Sequence, residues 1–283
     1  HFLNPIYAKI ADRLKKIYRK VVITPWRSDV LRAKKYQLRG LRKLVQKSNW
    51  VTCTQGSRFE KDIVTLLDIP KEKLYNLPIG IASIDEILSR PFITDEQAKR
   101  VWGFEGKYVI VIGYNGSPAH NHIKVIKSLV FMKKQLPTNT ILVCPMTYGG
   151  NPVYRKKIKR LLWNSQFENQ ILENYLTAEE LVCLRKATDL FIHAQNTDAN
   201  SGTIAEYLLC RKKIVNPTWI TYPHYETYGS PFYSFSNFEE LPQAIMKAIN
   251  DTSNKVSPLL TGNISESGWS KLACKWVELY KKY

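Results

Sequence analysis

Short apolar runs alternate with amphipathic stretches through the first part of the chain. The runs are rich in β-branched residues, as in Val21–Thr24, which Pro25 ends, and this is typical of buried strands. The stretches between them repeat apolar residues at helical spacing, and Ser57 with Glu60 forms a capping-box pattern. We therefore predict helices over residues 4–20, 29–47 and 57–67, and strands over residues 21–24, 49–54 and 77–81.

A second series of the same kind follows residues 89–106, a segment that contains Pro91, a helical piece, Gly103 and Gly106. Apolar runs there predict strands over residues 108–112, 140–144, 170–172, 189–193 and 213–215. Periodic stretches predict helices over residues 122–136, 152–163, 177–186, 202–210, 238–248 and 268–283.

Strands that alternate with helices over a whole chain predict an α/β fold with parallel sheets. We place a first domain at residues 1–95, a second at residues 96–265, and a C-terminal helix at residues 266–283 that packs back on the first. Ligands of such folds bind at the carboxyl ends of the strands. Two units in series predict a cleft, which suits a group-transfer enzyme with two substrates.

The composition is globular, with 44% hydrophobic and 12% aromatic residues among 283. The unusual feature is a net charge of +18, from 42 Lys and Arg against 24 Asp and Glu. Residues 1–50 hold 14 of these basic residues and 2 of the acids. That excess indicates a face that meets nucleic acid, a phosphate-rich ligand or an acidic lipid surface. Its members include Arg27, Arg32, Lys35, Arg39, Arg42 and Lys43.

The five cysteines are widely spaced, and none forms a Cys-x-x-Cys pair. This pattern favours a reducing, cytoplasmic compartment over a disulfide framework or a zinc site. No signal peptide and no stretch of about 18 apolar residues is visible. Because the chain starts with His1 rather than Met, in what looks like the middle of a structured region, we expect that upstream sequence is missing.

A loop of small residues, Gly113-Tyr-Asn115-Gly116-Ser117-Pro, follows the strand at 108–112 and leads to a helix that contains His122. A helix N-terminus offers exposed N–H groups and partial positive charge, so the loop could hold a phosphate. It matches neither a dinucleotide fingerprint nor a P-loop, and an ordinary turn remains the alternative.

A second candidate anion-binding segment follows the strand at 189–193. Its sequence is Asp198-Ala-Asn-Ser201-Gly202-Thr203-Ile-Ala-Glu206. Ser201, Gly202 and Thr203 at a helix start offer amides and hydroxyls to an anion. Glu206 is one turn inside that helix, where a carboxylate could accept hydrogen bonds from a ribose diol. By themselves the two acids could equally be solvated surface residues.

These features resemble the GT-B glycosyltransferases. Along the second domain, a strand with a glycine loop comes first. It is followed by Leu176-Thr-Ala-Glu-Glu-Leu181, by Ala187-Thr-Asp-Leu-Phe-Ile-His193, and by an acid-x7-Glu signature at Asp198 and Glu206. The signature is similar to that of the glycogen-synthase-like branch. The resemblance implies two Rossmann-like domains facing a cleft, the N-terminal one incomplete in this chain.

Other motifs are similar to those of the bacterial 4-acetamido-4,6-dideoxygalactose (Fuc4NAc) transferases. They are Trp26-x-x-Asp29, Asn115-Gly-Ser-Pro-Ala-His-Asn-His122, Pro145-Met-x-Tyr148-x-x-Asn151 and Ser201-Gly-Thr203. This resemblance implies a nucleotide-diphosphate sugar donor and a polyprenyl-diphosphate-linked glycan acceptor in bacterial surface polysaccharide assembly, such as O-antigen or capsule. It implies no metal and no cofactor.

The expected reaction is departure of a nucleoside diphosphate, whose growing charge is met by fixed amides, hydroxyls and His122. Tyr148 and Tyr175 follow strands, where their rings could contact base or sugar. Asp29 follows a predicted strand end and is the candidate general base toward the acceptor hydroxyl, with a helix N-cap as its alternative role. The basic residues of 1–50 would face the cytoplasmic leaflet, so we expect a peripheral membrane protein.

Three other interpretations stay open. A basic chain could bind nucleic acid, although no helix-turn-helix, zinc finger or RNP motif is present. The chain could be another GT-B enzyme, such as a nucleotide-sugar epimerase, or a phosphorylase, which would need a pyridoxal-phosphate lysine. It could also be an inactive fragment that lacks part of the acceptor domain.

Overall fold

The computed structural model of the chain describes residues 7–25, 30–31, 33–53, 58–198 and 201–281. Contacts divide the chain into two compact units. The first comprises residues up to Gly80 together with the residues from Trp269 onward, and the second is Ile81–Gly268. Each unit contains a wholly parallel sheet flanked by helices, which confirms the predicted α/β fold.

The first unit is built on a three-stranded sheet in the order β1-β2-β3. Leu41, Val45 and Ile63 are buried against this sheet's Val51 in one cluster. Among the described residues up to Gly80, the main elements are α1 (Tyr7–Ile17), β1 (Val22–Ile23), α2 (Lys35–Lys47), β2 (Trp50–Cys53), α3 (Arg58–Leu67) and β3 (Leu74–Asn76).

The strand predicted at Leu77–Ile81 is wrong, because the third strand, β3, ends before it. The amide of Leu77 still donates to the Cys53 carbonyl at 3.0 Å. Pro78 then has no N–H with which to continue the ladder, and its carbonyl accepts the Trp276 indole N–H at 3.0 Å instead. Pro78 therefore prevents the apolar run at Leu77–Ile81 from continuing the sheet as the predicted strand.

The second unit is built on a six-stranded sheet in the order β6-β5-β4-β7-β8-β9. Its strands are β4 (Tyr108–Ile112), β5 (Thr140–Pro145), β6 (Glu168–Leu172), β7 (Leu190–Ile192), β8 (Lys213–Pro217) and β9 (Phe232–Phe235). Its helices are α4 (Ala82–Leu88), α5 (Asp95–Trp102), α6 (His122–Phe131), α7 (Pro152–Ser165), α8 (Ala178–Ala187), α9 (Gly202–Leu209), α10 (Pro223–Glu226), α11 (Leu241–Asn250) and α12 (Pro258–Ser265).

Helices cover both faces of this larger sheet, as parallel sheets require. One buried cluster joins α6, α7 and α11 to one face, and a second joins α4, α5, α8, α9 and α12 to the other. Strand β4 has the bounds predicted from the sequence. Strand β9 and helices α4, α10 and α12 were not predicted, and the helix predicted over 122–136 ends at Phe131, before a 3-10 turn at Lys133–Gln135.

The last helix, α13 (Trp269–Lys281), belongs to the first unit. Its Leu272, Trp276 and Leu279 are buried with Leu77 in one cluster. The division at Gly80 also places residues 81–95 in the second unit, because Ile84 of α4 is buried in that unit's core.

Candidate functional site

The strand order of the larger sheet indicates where a ligand is expected to bind. Strand β4 is central, with β5 on one side and β7 on the other. The chain therefore leaves β4 and β7 toward opposite sides of the sheet, and ligands of open parallel sheets bind at the carboxyl ends of such strands. The loops that start there, residues 113–121 and 193–198, are called the switch-point loops below.

The switch-point loop after β4 packs backbone to backbone against the loop after β5. The Gly116 amide donates to the Tyr148 carbonyl at 2.7 Å. A Cβ at Gly150, whose φ is +70°, would lie 2.0 Å from the Gly116 carbonyl oxygen. A Cβ at Gly113, whose φ is +63°, would lie 3.0 Å from His122 Nε2. Glycine is therefore required where these loops meet.

Asn115 and Ser117 shape this loop from within. The Asn115 Oδ1 accepts the Ser117 amide at 2.9 Å, and the Ser117 hydroxyl oxygen accepts the Ala119 amide at 3.3 Å. Asn115 is buried. Both side chains were predicted to bind the donor, and the structure commits these atoms to the loop's own amides, so they act on any ligand chiefly by holding the backbone.

Asn121 joins the two switch-point loops to each other. Its backbone is left-handed, with φ +54°, and its Nδ2 donates to the Ala194 carbonyl at 2.8 Å and to Asn196 Oδ1 at 2.7 Å. The Asn196 amide in turn donates to the Ala119 carbonyl at 3.0 Å. The sequence analysis gave Asn121 no role, although asparagine is one of the few residues that tolerates this conformation.

His122 begins α6 with a fully buried side chain. Its Nδ1 lies 3.2 Å from the Tyr154 hydroxyl, and none of the described residues is hydrogen-bonded to its Nε2. Burial lowers the pKa of His122 to about 4. The imidazole is therefore neutral near pH 7, and its burial favours a hydrogen-bonding role over donation of a proton.

A second polar cluster lies at the end of β7, around His193. The Asn216 amide nitrogen donates to the Pro217 and Ile220 carbonyls, so its Oδ1 accepts from His193 Nδ1 at 2.8 Å. The other ring nitrogen, Nε2, lies 3.2 Å from Asp198 Oδ2.

Asp198, a predicted donor-binding residue, is held by a tyrosine as well. The Tyr222 hydroxyl donates to Asp198 Oδ2 at 3.0 Å, and burial raises the pKa of Tyr222 well above its ordinary value. The nearby Tyr114 hydroxyl donates to Gln195 Oε1 at 3.2 Å. The sequence analysis missed the roles of His193 and Tyr222, although a histidine at the carboxyl end of an apolar strand was a visible signal.

The predicted anion-binding segment 201–203 lies at the start of α9. Ser201 is buried, and its carbonyl accepts the Ala205 amide at 3.2 Å. Gly202 and Thr203 form the first turn of α9 and are half-buried. Amides of a first helical turn lack partners within the helix, so this turn offers hydrogen-bond donors at the same edge as the switch-point loops.

Glu206, predicted to bind ribose, is buried with protein partners on both carboxylate oxygens. Oε2 accepts Arg185 Nε at 2.7 Å, and Oε1 accepts the Ser83 hydroxyl. Arg185 also donates to the Tyr207 hydroxyl at 3.1 Å and lies over the Tyr207 ring. A ribose diol could meet Glu206 only through its remaining lone pairs. No local pattern indicated that Arg185 is buried.

Tyr148 and Tyr175 form an exposed aromatic pair beyond the ends of β5 and β6. Their ring centroids are 6.2 Å apart with an interplanar angle of 5°, and their exposed fractions are 46% and 76%. The sequence analysis treated them separately, and the structure brings them together. A stacked, solvent-facing pair offers a flat apolar surface to a base or a sugar ring.

The candidate residues of the first unit are only partly described. Asp29, Arg27 and Arg32 lie outside the described residues. Lys35 and Arg39 are exposed on α2.

Two other basic residues of α2 have acidic partners. Arg42 pairs with Asp68 at 3.0 Å, and Lys43 pairs with Asp12 at 3.4 Å. In the basic region predicted within residues 1–50, the described part is thus a helix, α2, whose charges are partly neutralised.

Among the described residues, no group of three or more His, Cys, Asp or Glu side chains is placed to hold a metal ion. Within the same residues, no helix has the length and apolar character needed to cross a membrane.

No protein-family model and no curated protein matches the chain. Among solved structures, it is similar to HepE of Anabaena in complex with UDP and glucose, with 15% identity and a TM-score of 0.75 over 99% of this chain and 76% of that one. It is similar to sucrose-phosphate synthase of Thermosynechococcus elongatus, with 14% identity and a TM-score of 0.71 over 99% and 72%.

A third similar structure is WaaG, described as a glycosyltransferase involved in lipopolysaccharide biosynthesis, with 15% identity and a TM-score of 0.65 over 96% of this chain and 81% of that one. Likeness at such identities shows the fold, and these structures are GT-B glycosyltransferases. The resemblance to Fuc4NAc transferases stays a prediction. The chain therefore has the GT-B fold, as its motifs predicted.

Proposed function

We propose that the chain is a glycosyltransferase that uses a nucleotide-diphosphate sugar. The observation that carries this proposal is the arrangement at one edge of the larger sheet. There the two switch-point loops are joined by Asn121, and the first turn of α9 follows the second loop. Amides held in this way stabilise the negative charge of a departing diphosphate without reorganisation.

The solved structures support a uridine nucleotide as the first donor to test. HepE was determined with UDP and with UDP-glucose. In the proposed site, the diphosphate contacts the amides of residues 201–203 beside the loop that contains Gly116, and the base or sugar stacks near Tyr148 and Tyr175. Asp198 lines the sugar side, and the buried His122 lies behind the loop at Gly113.

The donor proposal is tested by thermal unfolding in the presence of UDP, TDP and GDP. A nucleotide that binds only the folded state at about 100 times its dissociation constant adds about 2.7 kcal/mol of stability. We expect the UDP-induced rise in melting temperature to shrink in Thr203→Val, at the start of α9. It should persist in Thr261→Val, which removes from α12 a hydroxyl that donates to the Pro258 carbonyl at 2.9 Å. No stabilisation by any nucleoside diphosphate would contradict the proposal.

We propose further that the acceptor is a membrane-associated, polyprenyl-diphosphate-linked glycan bound by the first unit. The support is the excess of positive charge in residues 1–50 and the exposed Lys35 and Arg39 on α2. Each cation near an anionic leaflet contributes about 1 kcal/mol. On this proposal the protein works in the cytoplasm, at the inner face of the cell membrane, in surface polysaccharide assembly.

Asp29 is the proposed general base toward the acceptor hydroxyl. Removal of a positioned base lowers turnover by roughly 100-fold to 10,000-fold. We expect Asp29→Asn to show such a loss in transfer of a labelled sugar, with an unchanged UDP-induced thermal shift. Turnover close to that of the wild type would remove Asp29 from this role.

An epimerase is distinguished by its product. A nucleotide-sugar epimerase converts its donor in the absence of any acceptor, whereas a transferase releases the nucleoside diphosphate only as the glycan grows. Chromatography of the nucleotide pool with and without a lipid-linked acceptor separates the two.

A further inference from the structure

The second unit contains a long segment of the chain without a single carboxylate side chain. Residues 106–167 carry no Asp or Glu, while Glu105 and Glu168 stand on either side. The remainder of the chain outside this segment and residues 1–50 has a small net negative charge. The positive excess is therefore confined to two segments. The ten cations of this one are Lys107, Lys124, Lys127, Lys133, Lys134, Arg155, Lys156, Lys157, Lys159 and Arg160.

Most of these cations lie on the outer side of two neighbouring helices. The inner sides of α6 and α7 are buried on the same face of the larger sheet, through Leu129 and Leu162 among others. Lys159 and Arg155 are near Glu173, at 2.7 and 4.0 Å. The exposed set, here called the basic face, comprises Lys124, Lys127, Lys134, Lys156, Lys157 and Arg160.

The outer stripe of α7 shows how the basic face is organised. Val153, Lys156, Lys157, Arg160 and Trp163 are all exposed and follow one another at the three- and four-residue spacing of one helix side. The buried residues of α7 lie on the opposite side. The helix is thus amphipathic toward the sheet and carries a second, mixed cationic and apolar stripe toward solvent.

Two large aromatic side chains stand at one end of the basic face. Trp163 and Phe131 are 84% and 83% exposed. The ends of the two helices are tied together, since Lys133 Nζ donates to the Ser165 carbonyl at 3.2 Å and to the Gln166 carbonyl at 2.7 Å. Both aromatic side chains therefore lie at the same end of the helix pair, where exposure of so much apolar surface to water is unfavourable.

We propose that the basic face docks on an anionic lipid bilayer, with Trp163 and Phe131 entering the headgroup region. Lys and Arg near an anionic leaflet are attracted to it, and aromatic side chains are favoured at the interface. A nucleic acid would satisfy the cations but leave Val153, Phe131 and Trp163 in water. A bilayer satisfies both kinds of group, which is why the lipid surface is the occupant.

The position of the aromatic pair has a consequence for the rest of the unit. A helix that follows a parallel strand starts at the carboxyl edge of the sheet and ends at the amino edge. Phe131 and Trp163, close to the ends of α6 and α7, thus lie away from the switch-point loops. Docking through them leaves the proposed donor site uncovered, and it does not depend on the transfer reaction.

The proposal is tested by sedimentation with vesicles of phosphatidylcholine, with and without phosphatidylglycerol, at low and high salt. We expect binding only to the anionic vesicles and release by salt. The variant K156E/K157E/R160E should lose affinity by more than about tenfold. The matched variant K35E/R39E/K43E on α2 makes the same change in net charge and should lose less affinity than K156E/K157E/R160E, because the basic face remains intact.

Either of two results would overturn the proposal. One is wild-type vesicle affinity in K156E/K157E/R160E with loss of affinity only in the α2 variant. The other is indifference to anionic vesicles together with salt-sensitive binding to random duplex DNA. A cooperative thermal unfolding transition without nucleotide shows that each variant is folded. The UDP-induced shift, measured in parallel, separates failure here from failure of the proposed transfer function.

Insertion of Trp163 is tested by quenching of tryptophan fluorescence with lipids brominated on their acyl chains. We expect quenching in the wild type and in the control Trp219→Phe, and its loss in Trp163→Phe. Phenylalanine keeps the apolar ring, so the protein still docks while the reporter is removed. Equal quenching in Trp163→Phe and the wild type would show that Trp163 does not enter the bilayer.

Discussion

The switch-point loops and the basic face, both in the second unit, offer two contrasting ways to meet an anion. At the loops, the polar groups are buried or half-buried and are fixed by one another, as in Asn121, His193 and Asp198. On the basic face, the groups are the exposed ends of long Lys and Arg side chains. The first arrangement orients a ligand, and the second attracts a surface.

The difference predicts opposite responses to salt. Exposed charges are screened beyond about 10 Å at 0.1 M salt, so attraction by the basic face fades as salt is added. Hydrogen bonds from buried, fixed amides depend mainly on geometry. Donor binding should therefore outlast vesicle binding as ionic strength rises, and the contrast teaches that net charge alone does not locate a phosphate site.

The contrast between buried and exposed charges is largest at the buried ion pair of Arg185 and Glu206. Glu206→Ala leaves the Arg185 guanidinium buried without its carboxylate, which costs about 3 to 5 kcal/mol in the free energy of unfolding. Urea denaturation measures the loss. The double variant Arg185→Met/Glu206→Leu should recover most of it, because both charges are gone. A loss below about 1 kcal/mol in Glu206→Ala would place the pair with exposed surface charges.

Rigidity of the loop packing is tested at Gly150. Gly150→Ala places a Cβ 2.0 Å from the Gly116 carbonyl oxygen on a backbone with φ +70°, so we expect a loss of about 3 kcal/mol and a weaker UDP-induced shift. The control is Gly262→Ala in α12, where nothing lies within 4 Å of the new Cβ. Alanine there should be neutral or stabilising. Equal effects at the two positions would contradict the packing argument.

Because His122 is buried in its neutral form, the free energy of unfolding should decrease at acidic pH. Its pKa is lowered to about 4 in the folded protein and is near 6.5 when unfolded, so the unfolded chain binds more protons between these values. Stability from this group is present above about pH 6.5 and falls as the pH drops, by about 2 kcal/mol between pH 8 and 5. His122→Asn should flatten this part of the stability profile. An unchanged slope would mean that His122 is not buried neutral.

The smallest effect is expected on the basic face. Lys156→Ala/Lys157→Ala should change the free energy of unfolding by less than about 0.5 kcal/mol, because exposed side chains away from special features stabilise little. Thermal unfolding checks this, and vesicle sedimentation should still show weaker binding. A large loss of stability would give these lysines a structural role and erase the contrast with the buried site.

Local pattern predicted much of the fold. Strand β4 and the start of α6 at His122 were placed correctly, because buried β-branched runs and helical periodicity are properties of neighbouring residues. The strand assigned to Leu77–Ile81 failed since an apolar run does not show where a proline ends the ladder. Strand β9 and helices α4, α10 and α12 were missed, because short elements carry weak periodicity.

The candidate site was predicted in part for the same reason. Small residues after β4 and at Ser201–Thr203 are local signals of loops and helix starts, and the α/β alternation places both at one sheet edge. The hydrogen bonds of Asn121 to Ala194 and of Tyr222 to Asp198 span long stretches of sequence. No local pattern encodes such pairs, so Asn121, His193 and Tyr222 were missed.

Sequence by itself determined that this is a basic α/β protein with its positive charge in particular segments, because composition and periodicity are read along the chain. Its motifs added a resemblance to the GT-B glycosyltransferases. Only the tertiary structure decided what those residues meet. It buried Glu206 against Arg185 and stacked Tyr148 on Tyr175. It also gathered the cations of α6 and α7 beside two exposed aromatic rings. Contact and burial depend on residues distant in the chain, and packing alone brings them together.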